Sequence, residues 1–214
     1  MKYKALFFDL DGTLTNPEEG ILNSIQYATD FYGVPTVREN LKKYIGPPLR
    51  DTFIELISEE EAENAIVKYR EHFADGGGLF ENEIYPDVKE TLCELKKQGY
   101  ILCTASSKPQ VFVDRILEHF DIKQYFDFVG GATLDEKISR KEDVINNVLE
   151  QTNLNPKEVL MIGDRKFDLV GAKEFGMDAV GVLYGFGSRE ELESYENIAL
   201  IDDIKELLNI LDRR

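Results

Sequence analysis

Two kinds of order run along the chain. Over residues 16–82 the apolar positions recur at helical spacing, with Ile21, Leu22, Ile25, Ala28 and Phe31 marking one helix closed by Gly33 and Pro35. Val37–Tyr44 predicts a second, short helix, Gly46-Pro47-Pro48 breaks the chain, and Leu49–Ile57 predicts a third. A long charged helix is expected over Glu59–Phe73, with Ala62, Ala65, Ile66, Tyr69 and Phe73 facing inward and Asp75-Gly76-Gly77-Gly78 ending it. Elsewhere short apolar runs predict strands at Ala5–Phe8, Tyr100–Ala105, Phe126–Val129, Val159–Ile162, Ala179–Leu183 and Ile198–Ile201. Helical patterns lie between them, at Val88–Lys97, Val111–Phe120, Lys141–Gln151, Asp168–Phe175 and Ile204–Leu211. Strands alternating with helices imply a parallel sheet covered on both faces. The fold class expected is α/β, a three-layer Rossmann-like core from residues 1–15 and 83–214 with an all-helical domain, 16–82, inserted in it. The crossings, Asn16–Gly20 and Leu79–Tyr85, are the expected hinges.

The opening strand ends in an unusual way. Ala5–Phe8 runs directly into Asp9-Leu10-Asp11-Gly12-Thr13. Two carboxylates at the end of a buried strand repel each other and are both partly desolvated. A divalent cation would offset that cost, and oxygen-only ligands favour Mg²⁺ over zinc. An ordinary Asp-Gly turn after a strand accounts for the same stretch equally well when it is taken alone. Two further strand ends carry polar residues, Ser106 and Asp164, and parallel sheets bind ligands beyond the carboxyl ends of their strands.

Composition narrows the function classes. The net charge of −16 opposes general nucleic-acid binding, which needs a basic footprint. It leaves room for a small anionic substrate held by a cation and a few local basic groups. Two cysteines, Cys93 and Cys103, sit in apolar patterns and read as core residues of a reducing compartment rather than a disulfide framework. No stretch approaches the roughly 18 apolar residues of a membrane span, and Asp9 cuts the first apolar run too short for a secretory signal. A soluble, cytoplasmic protein, monomer or homodimer, with no membrane or nucleic-acid partner, is expected. His72 and His119 lack zinc-like spacing and read as surface residues.

Four motifs then fall in order. Asp9-Leu10-Asp11-Gly12-Thr13 is followed by Ala105-Ser106-Ser107-Lys108-Pro109 after a strand, by Lys141 at a helix start, and by Gly163-Asp164-Arg165-Lys166-Phe167-Asp168 after another strand. The set resembles the haloacid dehalogenase-like hydrolase superfamily, over nearly the whole chain. The helical insert is similar to the small cap of its phosphoglycolate phosphatase-like branch. Gly46–Phe53, Leu79–Glu83 and Gly181–Ser188 resemble the 5′-nucleotidase-like members.

The resemblance implies a Mg²⁺-dependent phosphatase acting on a small phosphorylated metabolite. Asp9 would be the nucleophile and form an aspartyl-phosphate, and Asp11 the general acid and base, a task suited to a carboxyl whose pKa is pushed up. Asp9 and Asp164 would hold Mg²⁺ by their carboxylates and Asp11 by its backbone carbonyl. Lys141 would place a positive charge on the phosphate and on Asp9, and Ser106 would donate its hydroxyl to a phosphate oxygen, with Ser107 adding its amide. Thr13 is expected to fix the turn and touch a metal-bound water. Lys108 is expected near the rim of the substrate site, and Arg50, after the proline-stiffened loop, to meet an anionic or planar group of the substrate. Asp168 would support the metal's surroundings or orient Lys141; an acid favourable in a helix's first turn explains it equally. Asp11 also separates phosphoryl transfer from dehalogenation, where no leaving oxygen needs a proton. Rival readings are a phosphomutase of the same fold, a protein tyrosine phosphatase, and a non-enzymatic module, which should have lost one of these acids.

Overall fold

The structure, a computed structural model, describes residues 2–135 and 137–212. The chain forms two compact units, one running up to Asn16 and again from Ile84 onward, the other spanning Pro17–Glu83.

The larger unit is a six-stranded sheet. Its strands are β1 (Ala5–Phe8), β4 (Ile101–Pro109), β5 (Phe128–Ala132), β6 (Val159–Gly163), β7 (Asp178–Val182) and β8 (Ala199–Ile201); the two-residue strands β2 (Thr15–Asn16) and β3 (Glu83–Ile84) lie where the chain crosses between units. The order is β5-β4-β1-β6-β7-β8, and every pairing is parallel. β1 is the centre, and Phe7 pairs with Cys103 on one side and Met161 on the other. Strands buried on both faces read as continuous apolar runs, which is why β1 and β6 carry no polar residue. Alternation sends Ala5 and Phe7 to one face, where they meet Val144, Ile145 and Val148 of α7 (Lys141–Thr152) and Leu169 and Ala172 of α8 (Lys166–Glu174). Leu6 and Phe8 point to the other face, and Phe8 meets Phe126 edge-on at 6.3 Å. α6 (Gln110–His119) covers β4 and β5. Complete burial of Phe7 and Phe8 contributes about 1.5–3 kcal/mol each.

The sheet order has a direct consequence. The chain leaves β1 to one side for β4 and later returns to its other side for β6. The carboxyl ends of β4, β1 and β6 are therefore adjacent, at the point where strand order reverses, the place where open parallel sheets bind ligands.

The smaller unit is built of helices: α1 (Glu18–Phe31), α2 (Arg38–Leu41), α3 (Leu49–Leu56) and α4 (Ala62–Arg70). α4 packs on α1 and α3 through Ala65, Ile66 and Tyr69, and Tyr69 lies 6.2 Å from Phe53 and stacks on Phe73 at 5.2 Å. It starts later than the charge pattern predicts because the Ser58 hydroxyl accepts the amide of Glu61 and holds the chain in a turn. It ends early as well, widening into a π turn over Glu71–Asp75 closed by Gly76 N to Glu71 O at 2.9 Å. In that turn His72 is half-buried rather than fully on the surface, and its Nδ1 lies 3.0 Å from the hydroxyl of buried Ser24. Phe31, at the end of the predicted apolar stripe, is 62% exposed and carries the Lys68 ammonium over its ring.

In the larger unit, β4 extends past the expected Ala105 as far as Pro109, with a register shift between Ser106 and Pro109. A short helix, α9 (Arg189–Glu193), stands where the apolar pattern predicts none; α5 (Val88–Lys97) and α10 (Glu206–Asp212) also belong to this unit.

Candidate active site

Asp9 is the first residue beyond β1, and its amide still donates to Ile162 O of β6 at 2.9 Å. The chain then turns sharply: Gly12 N reaches Thr15 O at 2.8 Å, and the amides of Leu14 and Thr15 return to Leu10 O. Gly12 takes φ +85°, which a side chain would resist. The turn leaves Asp9 and Asp11 at the switch point. Asp9 Oδ1 accepts the amide of Leu10 and lies 2.8 Å from Lys141 Nζ, while Oδ2 has no hydrogen bond among the described residues.

Lys141 opens α7, where a cation runs against the helix dipole. Its surroundings offset that cost. The ammonium donates to Ala105 O at 2.9 Å and forms ion pairs with Asp9 Oδ1 and Asp168 Oδ1, each at 2.8 Å. These two carboxylates hold the Lys141 pKa above its ordinary value against the opposing effect of burial.

Asp168 performs two tasks from one position. Its Oδ2 accepts the amide of Arg165 at 3.0 Å, capping α8, while Oδ1 meets Lys141. Burial and the neighbouring Asp9 push its pKa up to about 6, even with Lys141 beside it. Asp164, at the end of β6, is fully buried; Oδ2 accepts the amide of Phe186 at 2.7 Å and Oδ1 is buried without a partner. Burial first, and then the charges of Asp168 and Asp9, drive its pKa far above the carboxylate range.

Lys108 is not at a rim. It is 9% exposed, and its Nζ pairs with Asp11 Oδ2 at 2.5 Å. The irregular stretch of β4 between Ser106 and Pro109 carries it there, which a strand ending at Ala105 did not anticipate. Burial raises the pKa of Asp11, with Asp9 adding to the effect and Lys108 opposing it. Ser106 is buried and its hydroxyl accepts the amide of Lys108 at 3.3 Å, leaving the hydroxyl hydrogen to donate; Ser107 follows it, half-buried. Thr13 is buried with its hydroxyl unpartnered, and its carbonyl accepts from Tyr184 at 2.9 Å. The structure thus assembles Asp9, Asp11, Ser106, Lys108, Lys141, Asp164 and Asp168 within the larger unit. Arg50 belongs to the helical unit, where it is half-exposed and pairs with Glu63 at 3.2 Å and Glu59 at 3.8 Å.

Sequence reasoning missed three participants. Tyr184, Phe186 and Glu191 reach the Asp9 turn or the Asp164 loop, and Glu191 accepts from Arg165 Nε at 3.0 Å and from Lys166 N at 2.8 Å. Ser188 and Glu191, three residues apart with the Ser188 hydroxyl accepting the Glu191 amide, form a helix-start signal that announces α9.

Electrostatics say what the cluster lacks. Four carboxylates face two ammonium groups, an excess that one dication would neutralise. Oxygens of Asp9, Asp164 and Asp168 lie within 4.8 Å of one another. Asp168 Oδ1 is ion-paired to Lys141 and its Oδ2 accepts the Arg165 amide, whereas Oδ1 of Asp164 is buried with neither an ion pair nor a hydrogen bond. A buried, unpartnered carboxylate oxygen fits a hard cation.

A parallel sheet whose switch point gathers aspartates and lysines offers a site for a cation or an anionic ligand. Residues 6–182 match the model of the haloacid dehalogenase-like hydrolases. The chain belongs to that family. It is 38% identical over 216 residues to a Pseudomonas aeruginosa protein named 5′-nucleotidase, covering 99% of this chain and 97% of that one. A solved structure from Clostridium difficile, provisionally assigned as a phosphatase, superposes with a TM-score of 0.89 at 46% identity and 99% coverage of both chains. The Mycobacterium tuberculosis protein tyrosine kinase A is also similar, with a TM-score of 0.85 at 33% identity and 98% coverage of both.

Proposed function

We propose that the protein is a Mg²⁺-dependent phosphomonoesterase for small phosphorylated metabolites, with phosphoglycolate or a nucleoside 5′-monophosphate as leading candidates. The observation that carries this reading is the pair of acids on one turn, each with its own lysine: Asp9 with Lys141, Asp11 with Lys108. An anionic nucleophile beside an acid of raised pKa is what a two-step displacement at phosphorus requires.

Asp9 attacks phosphorus through a carboxylate oxygen, and the bond to the leaving oxygen breaks as Asp11 delivers its proton. Asp11, now ionised, takes a proton from water, whose oxygen attacks the same phosphorus. The bond to Asp9 breaks, and phosphate and alcohol leave. Lys141 holds Asp9 in orientation and counters the phosphoryl charge. The Ser106 hydroxyl and the Ser107 amide donate to phosphate oxygens, and Asp168 keeps Lys141 in place. Asp9, Asp164 and the Asp11 carbonyl would hold the Mg²⁺, which when bound supplies charge neutralisation between the carboxylate and the anionic phosphate. Thr13 supports the turn. The helical unit Pro17–Glu83 is read as a cap that selects the substrate, with Arg50 as one contact. Free Cys93 and Cys103 support a reducing, cytoplasmic setting, and among the described residues no helix is long and apolar enough to cross a membrane.

A screen of the purified protein against phosphorylated metabolites, with Mg²⁺ or EDTA, tests the reading. Release of free phosphate that requires Mg²⁺ and disappears in Asp9→Asn is expected. An isomerised sugar phosphate without free phosphate would instead indicate a mutase, and phosphate moving onto protein tyrosine would indicate the activity named for the mycobacterial relative. Undiminished hydrolysis by Asp9→Asn would end the proposal.

A further inference from the structure

The stretch Tyr184-Gly185-Phe186-Gly187 lies against the site without contributing a carboxylate or an ammonium to it. Its backbone comes unusually close. A Cβ on Gly187 would sit 1.9 Å from Asp164 O, and one on Gly185 would sit 2.3 Å from Gly12 O and 2.4 Å from Asp164 Cβ. Neither position accepts a side chain, so the loop can close on Asp164 only because both are glycine. Between the two glycines, the Phe186 amide donates to Asp164 Oδ2 at 2.7 Å.

Each end of the loop is tied down. Before it, the Tyr184 hydroxyl donates to Thr13 O at 2.9 Å, and its ring meets Tyr85 edge-on at 4.9 Å. After it, Ser188 starts α9, and Glu191 of that helix accepts from Arg165 Nε and Lys166 N, the residues that follow Asp164. The turn carrying Asp9 and Asp11 and the loop carrying Asp164 are therefore strapped together by one segment of backbone.

We infer that Tyr184–Gly187 is a positioning loop that decides which oxygen of Asp164 meets the cation. A carboxylate has two nearly equivalent oxygens and can rotate between them. The Phe186 amide occupies Oδ2 and fixes the carboxylate plane, so that the buried, unpartnered Oδ1 is the oxygen presented. Tyr184 fixes the distance from that oxygen to the Asp9 turn. Partners that orient a metal ligand typically govern metal affinity by about 10–100-fold. The inference rests on the cation reading of the proposed function, and its test must separate the two.

Binding of Mn²⁺, standing for Mg²⁺, is measured by electron paramagnetic resonance on wild type, Asp164→Asn, Phe186→Pro and Tyr184→Phe. The urea midpoint of each protein in EDTA reports the fold. Phe186→Pro deletes the amide donor, and its Mn²⁺ dissociation constant is expected to rise about 10-fold or more. Tyr184→Phe keeps the ring and removes one hydrogen bond, so a rise of about threefold is expected, with the EDTA midpoint close to wild type. If Phe186→Pro does not fold, Tyr184→Phe decides alone. Wild-type Mn²⁺ affinity in Tyr184→Phe, or in a folded Phe186→Pro, overturns the positioning role while Asp164→Asn still loses the ion. If Asp164→Asn binds Mn²⁺ as wild type does, the cation reading itself fails.

Discussion

Removing the Lys141 ammonium is the sharpest perturbation of this site. Lys141→Met keeps most of the apolar stem of the side chain and deletes one hydrogen bond and two ion pairs, the latter to carboxylates 12% and 0% exposed. Breaking a buried ion pair from one side costs about 3–5 kcal/mol, because the remaining charge is left uncompensated. Asp168 makes the cost pH-dependent. Its folded pKa of about 6 lies above the ordinary 3.8, so the folded state binds more protons than the unfolded state between those values. The Asp168 contribution to wild-type stability therefore falls as pH rises through that window and levels off above it. Without Lys141 the folded pKa of Asp168 moves higher still. Relative to wild type, the variant then loses about 1.4 kcal/mol more per pH unit beyond pH 6, where the Asp168 contribution in wild type has levelled. The raised pKa of Lys141 itself acts only above about 10.4 and leaves this range untouched. Urea unfolding in EDTA at pH 5, 6, 7 and 8 reads the difference. The expected result is a deficit near 3–5 kcal/mol at pH 8 that shrinks by about 2 kcal/mol or more at pH 5. Lys141→Met with Asp168→Asn should recover part of it. A deficit below about 1 kcal/mol, or one flat from pH 5 to 8, would refute the reasoning.

Other perturbations separate packing from chemistry. Asp11→Asn keeps the turn but removes the proposed proton donor, and kcat on an alkyl phosphate should fall about 10²–10⁴-fold, less on a phenolic ester whose leaving oxygen needs no proton. Phe7→Ala opens a cavity at the centre of the sheet and should cost about 3–5 kcal/mol in urea unfolding, with Mn²⁺ affinity retained at low temperature. Burial pushes the Cys103 thiol up to about 12, so a disulfide reagent at pH 8 should modify half-buried Cys93 and reach Cys103 only on unfolding. Arg50→Ala removes ion pairs whose carboxylates are 75% and 70% exposed, and should change stability by about 0–1 kcal/mol, any effect on turnover being confined to KM.

The larger unit was legible because its signals are local. A fully apolar strand ending in Asp9, and another ending in Gly163-Asp164, state both the element and what its end carries. A parallel sheet with β1 at its centre then brings those ends together. Lys141 was legible only through motif order, since a lysine at a helix start is otherwise unremarkable. What escaped depends on backbone geometry that residue types do not encode. Lys108 reaches Asp11 because β4 shifts register after Ser106, and no local pattern in Ser106-Ser107-Lys108-Pro109 fixes that shift. The partners of Arg50, Glu63 on α4 and Glu59 in the connection before it, are set by how α3 packs on α4 and by the turn between them, a tertiary outcome.

The Tyr184–Gly187 loop escaped for a deeper reason. Its working group is an amide, which every residue except proline carries, so the sequence marks the place only by the glycines that permit close approach. The acids of this site would be unstable as a bare cluster, with Asp11, Asp164 and Asp168 all held towards protonation by burial. Three neutral or cationic supports meet them: Lys108 on Asp11, Lys141 on Asp9 and Asp168, and the Phe186 amide on Asp164. Two are side chains that mutation can remove one at a time. The third is main chain, fixed by the Tyr184 and Glu191 anchors on either side of it. The orientation of the buried, unpartnered Asp164 Oδ1 therefore rests on residues that never touch it.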